Sequence, residues 1–186
     1  MVFIRDTELS LRAAAALVNT LPELDAEGVD RFATAADMEA YLERFPYSGP
    51  FALDEQERRA VRANRPRLRQ LWTVRRDEAV PLVNAMLRDG EALPQLVIHD
   101  GYDWHIHATE PTAPLATRML VEAAMAFVDV IRSDQWDRVR VCEADDCDAV
   151  YVDFSKNGSK RYCDTGNCGN RMNVNAYRRR RARESV

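Results

Sequence analysis

The residues of this chain best suited to chemistry crowd into its last quarter. Its four cysteines fall into two pairs, Cys142 with Cys147 and Cys163 with Cys168; four residues separate the members of each pair and fifteen lie between the pairs. Tetrahedral zinc takes four soft or borderline ligands, with sulfur at about 2.3 Å. Two short loops, each presenting two thiolates, can supply them without a large core. A symmetric set of four cysteines leaves no open coordination position, so the spacing predicts a structural ion and not a catalytic one. The alternative is four free or oxidised thiols. In a reducing compartment a small cluster of this kind is more often metal-binding than disulfide-bonded.

Beyond Cys168 the sequence continues through Gly169, Asn170 and Arg171 to a run of arginines, Arg178, Arg179, Arg180, Arg181 and Arg183. On a helix successive residues turn by about 100°, so four consecutive arginines point around the whole circumference. Some must face outward whichever side is packed. Val174 and Tyr177, three apart, are the residues expected to pack against the metal site. Residues 154–186 carry nine Lys or Arg against two acids, a net +7, which leaves −11 for residues 1–153 of a chain whose total is −4. An acidic body with one basic pole favours contact with a polyanion at that pole. Guanidinium groups stay charged and bind phosphate in a bidentate way. The candidate nucleic-acid contacts are therefore Lys156, Lys160, Arg161, Arg171, Arg178, Arg179, Arg180, Arg181 and Arg183, with DNA the expected partner. A solvated helix end favoured by the dipole, or a helix that docks on an acidic protein, is the competing explanation.

Several elements must position these groups. Residues 149–154 read as a strand, 156–159 as a turn and 160–162 as the returning strand, which would carry the second cysteine pair back to the first. The predicted module, residues 136–186, is thus knuckle, hairpin, knuckle and helix, of treble-clef or ribbon-like form. Residues 1–135 read as a mainly helical domain with one β-hairpin, so the fold class is α+β. Leu9, Ala13, Ala16, Leu17 and Leu21 recur at helical spacing and Pro22 closes that helix. Thr34 to Asp37 is a helix start. A long helix begins at Asp54 and is expected to break near Pro66; another covers 77–87. Residues 95–108 change to a period of two around Asp100-Gly101, the strongest hairpin signal in the chain. An apolar helix follows over 112–132.

Other candidate sites are weaker. Asn19, in an otherwise apolar helix end, is expected to satisfy nearby backbone groups; the sharper alternative is that Asn19, Arg65, Arg69 and Trp104 line a small-molecule pocket. His99, His105 and His107 share the hairpin and could hold a metal, although packing or surface roles are commoner. No Gly-rich phosphate loop, nucleophile elbow or paired-carboxylate motif stands out, so an enzyme is not expected. With 46% hydrophobic and 30% charged residues, the composition is that of a soluble globular protein. No apolar run approaches the roughly 20 residues that cross a bilayer. Met1 to Asp6 lacks the apolar core of a secretory signal. A cytoplasmic location is expected.

The run Cys168-Gly169-Asn170-Arg171, with the earlier cysteines before it and the arginine-rich helix after it, resembles the CGNR zinc finger family of bacteria. Leu17-Val18-Asn19-Thr20, the Arg- and Leu-rich stretch 65–72 and the Asp100-Gly101 hairpin resemble the ABATE domain usually paired with that finger. Together the two cover nearly the whole chain. The resemblance implies a stress-induced transcription regulator whose four cysteines bind zinc and whose finger binds DNA; the leading expectation adds that the acidic N-terminal domain senses a small-molecule effector or mediates homo-oligomer assembly. It also implies that Gly169 permits tight backbone passage beside the metal, that Asn170 caps the helix, and that Arg171 either contacts phosphate or braces the finger. A protein-interaction adaptor is the alternative function.

Overall fold

The computed structural model describes residues 2–98 and 103–184, with side chains through Arg181. Helix α1 (Arg5–Val18) leads into a 3₁₀ turn (Pro22–Leu24), then α2 (Ala35–Arg44), α3 (Glu55–Gln70) and α4 (Arg76–Asp89). Strands β1 (Gln95–Val97) and β2 (His105–His107) follow, then α5 (Leu115–Arg132), a second 3₁₀ turn (Trp136–Arg138), β3 (Val139–Val141), β4 (Val150–Val152) and α6 (Cys168–Glu184). The fold is α+β, with two separate antiparallel two-stranded sheets.

Local signals explain most helix ends. Thr34 caps α2 in a capping box, its hydroxyl accepting from the Asp37 N–H while the Asp37 carboxylate accepts from the Thr34 N–H. Asp54 caps α3 by accepting from the Glu57 N–H. The expected break at Pro66 does not occur. Pro66 lies inside α3, because Val61, Asn64, Arg65 and Leu68 bury one face across it. That tertiary packing outweighs the roughly 3 kcal/mol that an interior proline costs.

Helix α5 is the central element, packed by α1, α3 and α4. Its buried residues lie on most of its circumference, from Leu115 through Met119, Ala123 and Phe127 to Val130, as expected of a helix enclosed by others. Close approach to α4 depends on Gly90, where a Cβ would fall 2.2 Å from Val121 Cγ2. The loop after α1 is tied to α3 by Arg65, whose guanidinium donates to both Asp30 carboxylate oxygens at 2.6 and 2.8 Å and to the Thr20 carbonyl at 3.0 Å.

The two hairpins differ in their surroundings. β1 and β2 pair Gln95 with His107 and Val97 with His105, as the sequence period implies, while the Asp100-Gly101 turn and His99 lie outside the described residues. β4 does not pair with residues 160–162. Its partner is β3, upstream of the first cysteine, in the register Val139 to Val152 and Val141 to Val150. Other groups occupy the carbonyls that a returning strand would have used: Lys160 O accepts from Arg140 Nη1 at 2.9 Å and from Tyr151 Oη at 2.7 Å, and Arg161 O accepts from the Glu143 N–H at 3.0 Å. The intervening turn is held by the buried Asp153 carboxylate, which accepts from the backbone N–H of Ser155 and of Lys160. Gly158 supplies the positive φ of 58° that this turn needs.

Candidate metal centre and basic helix

Cys142 follows β3 directly, and its N–H donates to the Ala149 carbonyl at 2.8 Å, closing the first knuckle just before β4. Cys147 sits in the same loop, its N–H donating to the Ala144 carbonyl. Cys163 ends the segment after the Asp153 turn. Cys168 opens α6, immediately after Asn167, whose φ of 53° turns the chain into the helix. Asn167, and not Asn170, occupies the position just before the first helical residue. Its carbonyl accepts from the Arg171 N–H at 3.2 Å, and Asn170 Nδ2 donates to its side-chain oxygen at 2.8 Å.

The four Sγ atoms all lie within 4.8 Å of one another, and among the described residues no other three His, Cys, Asp or Glu converge so closely. Cys163 Sγ is 3.7 Å from both Cys147 Sγ and Cys168 Sγ. A tetrahedron with zinc–sulfur bonds of about 2.3 Å has an edge of about 3.8 Å, whereas a disulfide would bring two sulfurs to about 2.05 Å. The separations therefore match a shared ion and not a bridge. Cys142, Cys163 and Cys168 are buried, and Cys147 is half-buried. Hydrogen bonds also reach the sulfurs: the Cys163 N–H donates to Cys142 Sγ at 3.4 Å and Arg171 Nη2 donates to Cys168 Sγ at 3.3 Å. Such outer contacts orient and stabilise thiolate ligands. The thiols are unequal. Burial pushes Cys147 and Cys168 up. At Cys163 burial also acts upward, but hydrogen bonds from the backbone of Thr165 and Gly166 outweigh it and hold this thiol at about 7. Zinc would erase the inequality, because a coordinated thiol is deprotonated outright. The donor set, its spacing and its closure fit a structural zinc ion.

The module's own small core is Cys142, Ala144, Ala149, Tyr151, Cys163 and Cys168, with Tyr162 and Met172 packed against it. Met172 is thus the helix residue that seals the metal site. Val174 and Tyr177 do not take that place; they are 46% and 53% exposed. The helix enters from Cys168, which turns Met172 toward the knuckles; two turns further on the exposed Arg179 reaches back to Asp145 of the first knuckle.

The basic residues divide by partner. Arg171 donates to Asp146, the Gly166 carbonyl and Cys168 Sγ, at 2.8, 3.1 and 3.3 Å. Arg179 meets Asp145 at 3.4 Å, Arg161 meets Glu143 at 2.6 Å, and Lys160 pairs with Asp164. Arg181 lies over the Tyr177 ring. Lys156, Arg178 and Arg180 are exposed and have no acid partner among the described residues. Arg183 falls beyond the last described side chain.

The four residues suggested as a ligand pocket are not brought together. Asn19 clasps β4: its Nδ2 donates to the Val150 carbonyl and its Oδ1 accepts from the Val150 N–H, both at 2.8 Å. It does satisfy backbone groups, but of a strand 131 positions away. Arg65 is spent on Asp30. Half-buried Arg69 is depressed by its burial, against the pull of Asp148 and Glu23. Trp104 is 64% exposed; it adjoins β2, which borders the first turns of α1, whereas Asn19 follows the other end of that helix. His105 and His107 stand with their Nε2 atoms 3.1 Å apart. Their spacing in sequence announced the pair. Nothing in sequence announced Trp72, whose indole N–H donates to the Tyr151 carbonyl at 2.9 Å, or Arg12, whose guanidinium lies 4.2 Å over the Phe154 ring.

Two family models match the chain, in the order the motifs suggest. The ABATE model, described as "Putative stress-induced transcription regulator", matches residues 11–134. The model of the CGNR zinc finger matches residues 138–181. No curated protein matches the chain. Among the described residues no helix is long and apolar enough to cross a membrane.

Proposed function

The chain belongs to the ABATE family, and we propose that it is a transcription regulator that grips duplex DNA through α6. The carrying observation is the placement of α6: a zinc-bound knuckle holds its first turn, and the arginine run leaves the module exposed. Arg178, Arg180 and Lys156 form the first contacts with phosphate, since no acid competes for them. Arg171 and Arg179 face the acidic first knuckle. Their ion pairs are exposed and therefore weak in water, so phosphate can displace Asp145 from Arg179. Arg171 is the exception, because it also holds the Gly166 carbonyl and a ligand sulfur. We assign it to bracing. Cys142, Cys147, Cys163 and Cys168 ligate the zinc, and no catalytic chemistry is assigned to the chain.

Duplex binding measured across a salt series tests the proposal. Each phosphate contact steepens the fall of log affinity with log salt by about 0.9. The double substitution Arg178→Ala with Arg180→Ala is expected to flatten that slope by about 2 with zinc content unchanged. An unchanged slope, or no duplex binding even at low salt, overturns it. A second reading, docking on an acidic protein, draws on the exposed Val174 and Tyr177, three apart on the same helix. A complex that survives nuclease treatment and is lost in Tyr177→Ala would favour it.

A further inference from the structure

At the seam between helical body and zinc module lies a cavity of about 540 Å³, within the roughly 300–1,000 Å³ range of small-molecule sites. Arg12 of α1, Arg31 of the following loop and Arg44 of α2 surround it, with Phe45, Phe154 and Thr165 on its walls. Arg31 is engaged by Asp25 at 2.6 Å. Arg12 and Arg44 are not paired with any acid among the described residues. Their guanidinium groups lie over aromatic rings instead, Arg12 at 4.2 Å from the Phe154 centroid and Arg44 at 5.1 Å from that of Phe45. Stacking of this kind fixes the planar cation and leaves its N–H edge free to donate. The single carboxylate lining the cavity, Asp164, is paired with Lys160. Two uncompensated cations thus converge on one concave, partly apolar site, in a part of the chain that carries −11 overall.

We propose that this seam pocket binds a small organic anion with an apolar body, of the aromatic carboxylate class, and that its occupancy biases the finger; the second clause rests on the regulator reading above. The anionic group takes the N–H edges of Arg12 and Arg44. The ring lies on the floor formed by Ala15, Ala16 and Val152. That floor favours a ring-bearing anion over inorganic phosphate, which would leave it wet. Position supplies the coupling. Val150, on the same floor, is the residue clasped by Asn19, and Thr165, on the wall, donates its backbone N–H to the Cys163 thiol. A bound molecule would therefore touch both the clasp that holds the module to the body and the second zinc knuckle.

The test uses the zinc-loaded full chain and the fluorescent aromatic anion 1-anilinonaphthalene-8-sulfonate. One molecule per chain is expected, displaced by benzoate but not by the uncharged benzyl alcohol. The pair Arg12→Gln and Arg44→Gln, which keeps the stems over the rings, should weaken binding by about tenfold or more, with zinc content unchanged. Arg178→Ala with Arg180→Ala should leave it untouched. Amide shifts caused by benzoate in the wild-type chain should centre on Phe45, Phe154 and Thr165. Equal affinity in the glutamine pair, equal displacement by benzyl alcohol, or shifts confined to α6 would overturn the site. Duplex titrations with and without benzoate separate the two clauses. A pocket that fills without altering duplex affinity removes the coupling, whereas absence of duplex binding altogether sinks the regulator reading and leaves the anion site standing.

Discussion

The zinc module has two ends held by very different means. At the β4 end, Val150 and Val152 are part of the body's core, Asn19 bonds both the N–H and the C=O of Val150, and the Trp72 indole donates to the Tyr151 carbonyl. At the α6 end, apolar packing stops with Met172, and beyond it the ties include Arg171 with its three acceptors and the exposed Arg179–Asp145 pair. One end is built into the core formed by the helices; the other is presented to solvent. Buried apolar side chains contribute about 1.5–3 kcal/mol each, against about 0–1 kcal/mol for an exposed ion pair. The metal cluster lies between the two ends and is what makes the presented helix follow the anchored strand.

The largest effect expected from breaking this arrangement is that of Cys163→Ser. Losing one of four ligands should release the ion, whose binding in small modules is worth roughly 10–16 kcal/mol of folding free energy. Metal content should fall to background and amide protection in α6 should vanish, while the helices around α5 keep a cooperative transition. Loss of protection throughout the chain would show that the two ends are one cooperative unit.

Asn19→Ala probes the anchored end alone. It leaves the Val150 N–H and C=O without partners, at about 1–3 kcal/mol for each buried group, so a loss of about 3 kcal/mol in denaturant unfolding is expected with zinc retained. A loss under about 0.5 kcal/mol would mean that the strand is held by apolar packing only.

The smallest of the three effects lies in the body itself. Burial raises Glu122 from its ordinary 4.5 to about 7, against the opposing pull of Arg118. The unfolded chain then releases this proton near 4.5 while the folded chain keeps it until about 7. Stability is therefore complete below that window, declines as pH rises through it, and stays reduced above. Glu122→Gln removes the decline; the full shift is worth about 3 kcal/mol, and because the Glu122 side chain is only half-buried solvent screening reduces the gain expected at pH 8 to about 2 kcal/mol. The gain should appear in the body's transition with no change in zinc content. An identical pH profile for both proteins would show that the carboxyl is solvated.

Much of this was legible in the residues. Cysteine spacing announced the metal centre because a four-thiolate site is built from two local loops, and Thr34 and Asp54 announced helix starts because capping acts within one turn. The departures came where distant partners intervene. Pro66 is carried inside α3 by packing that no local window contains. Residues 160–162 have strand-like composition, yet Arg140 and Tyr151 take the Lys160 carbonyl and the Glu143 N–H takes that of Arg161. Val174 and Tyr177 have the spacing of a buried stripe, but the entry of α6 from Cys168 turns Met172 inward instead.

By itself, then, the order of residues determined the ligand set, the basic pole, the helical body and the presence of two families' motifs, since each depends on type and short-range spacing. Only the tertiary structure decided that Asn19 is a clasp, that Arg171 is occupied while Arg178 and Arg180 are not, and that two arginines meet at the seam. Those outcomes rest on tertiary contacts, such as Asn19 with Val150 and Arg12 with Phe154, more than a hundred positions apart, or on competition between acids and bases for the same partner, and neither is set by a local pattern.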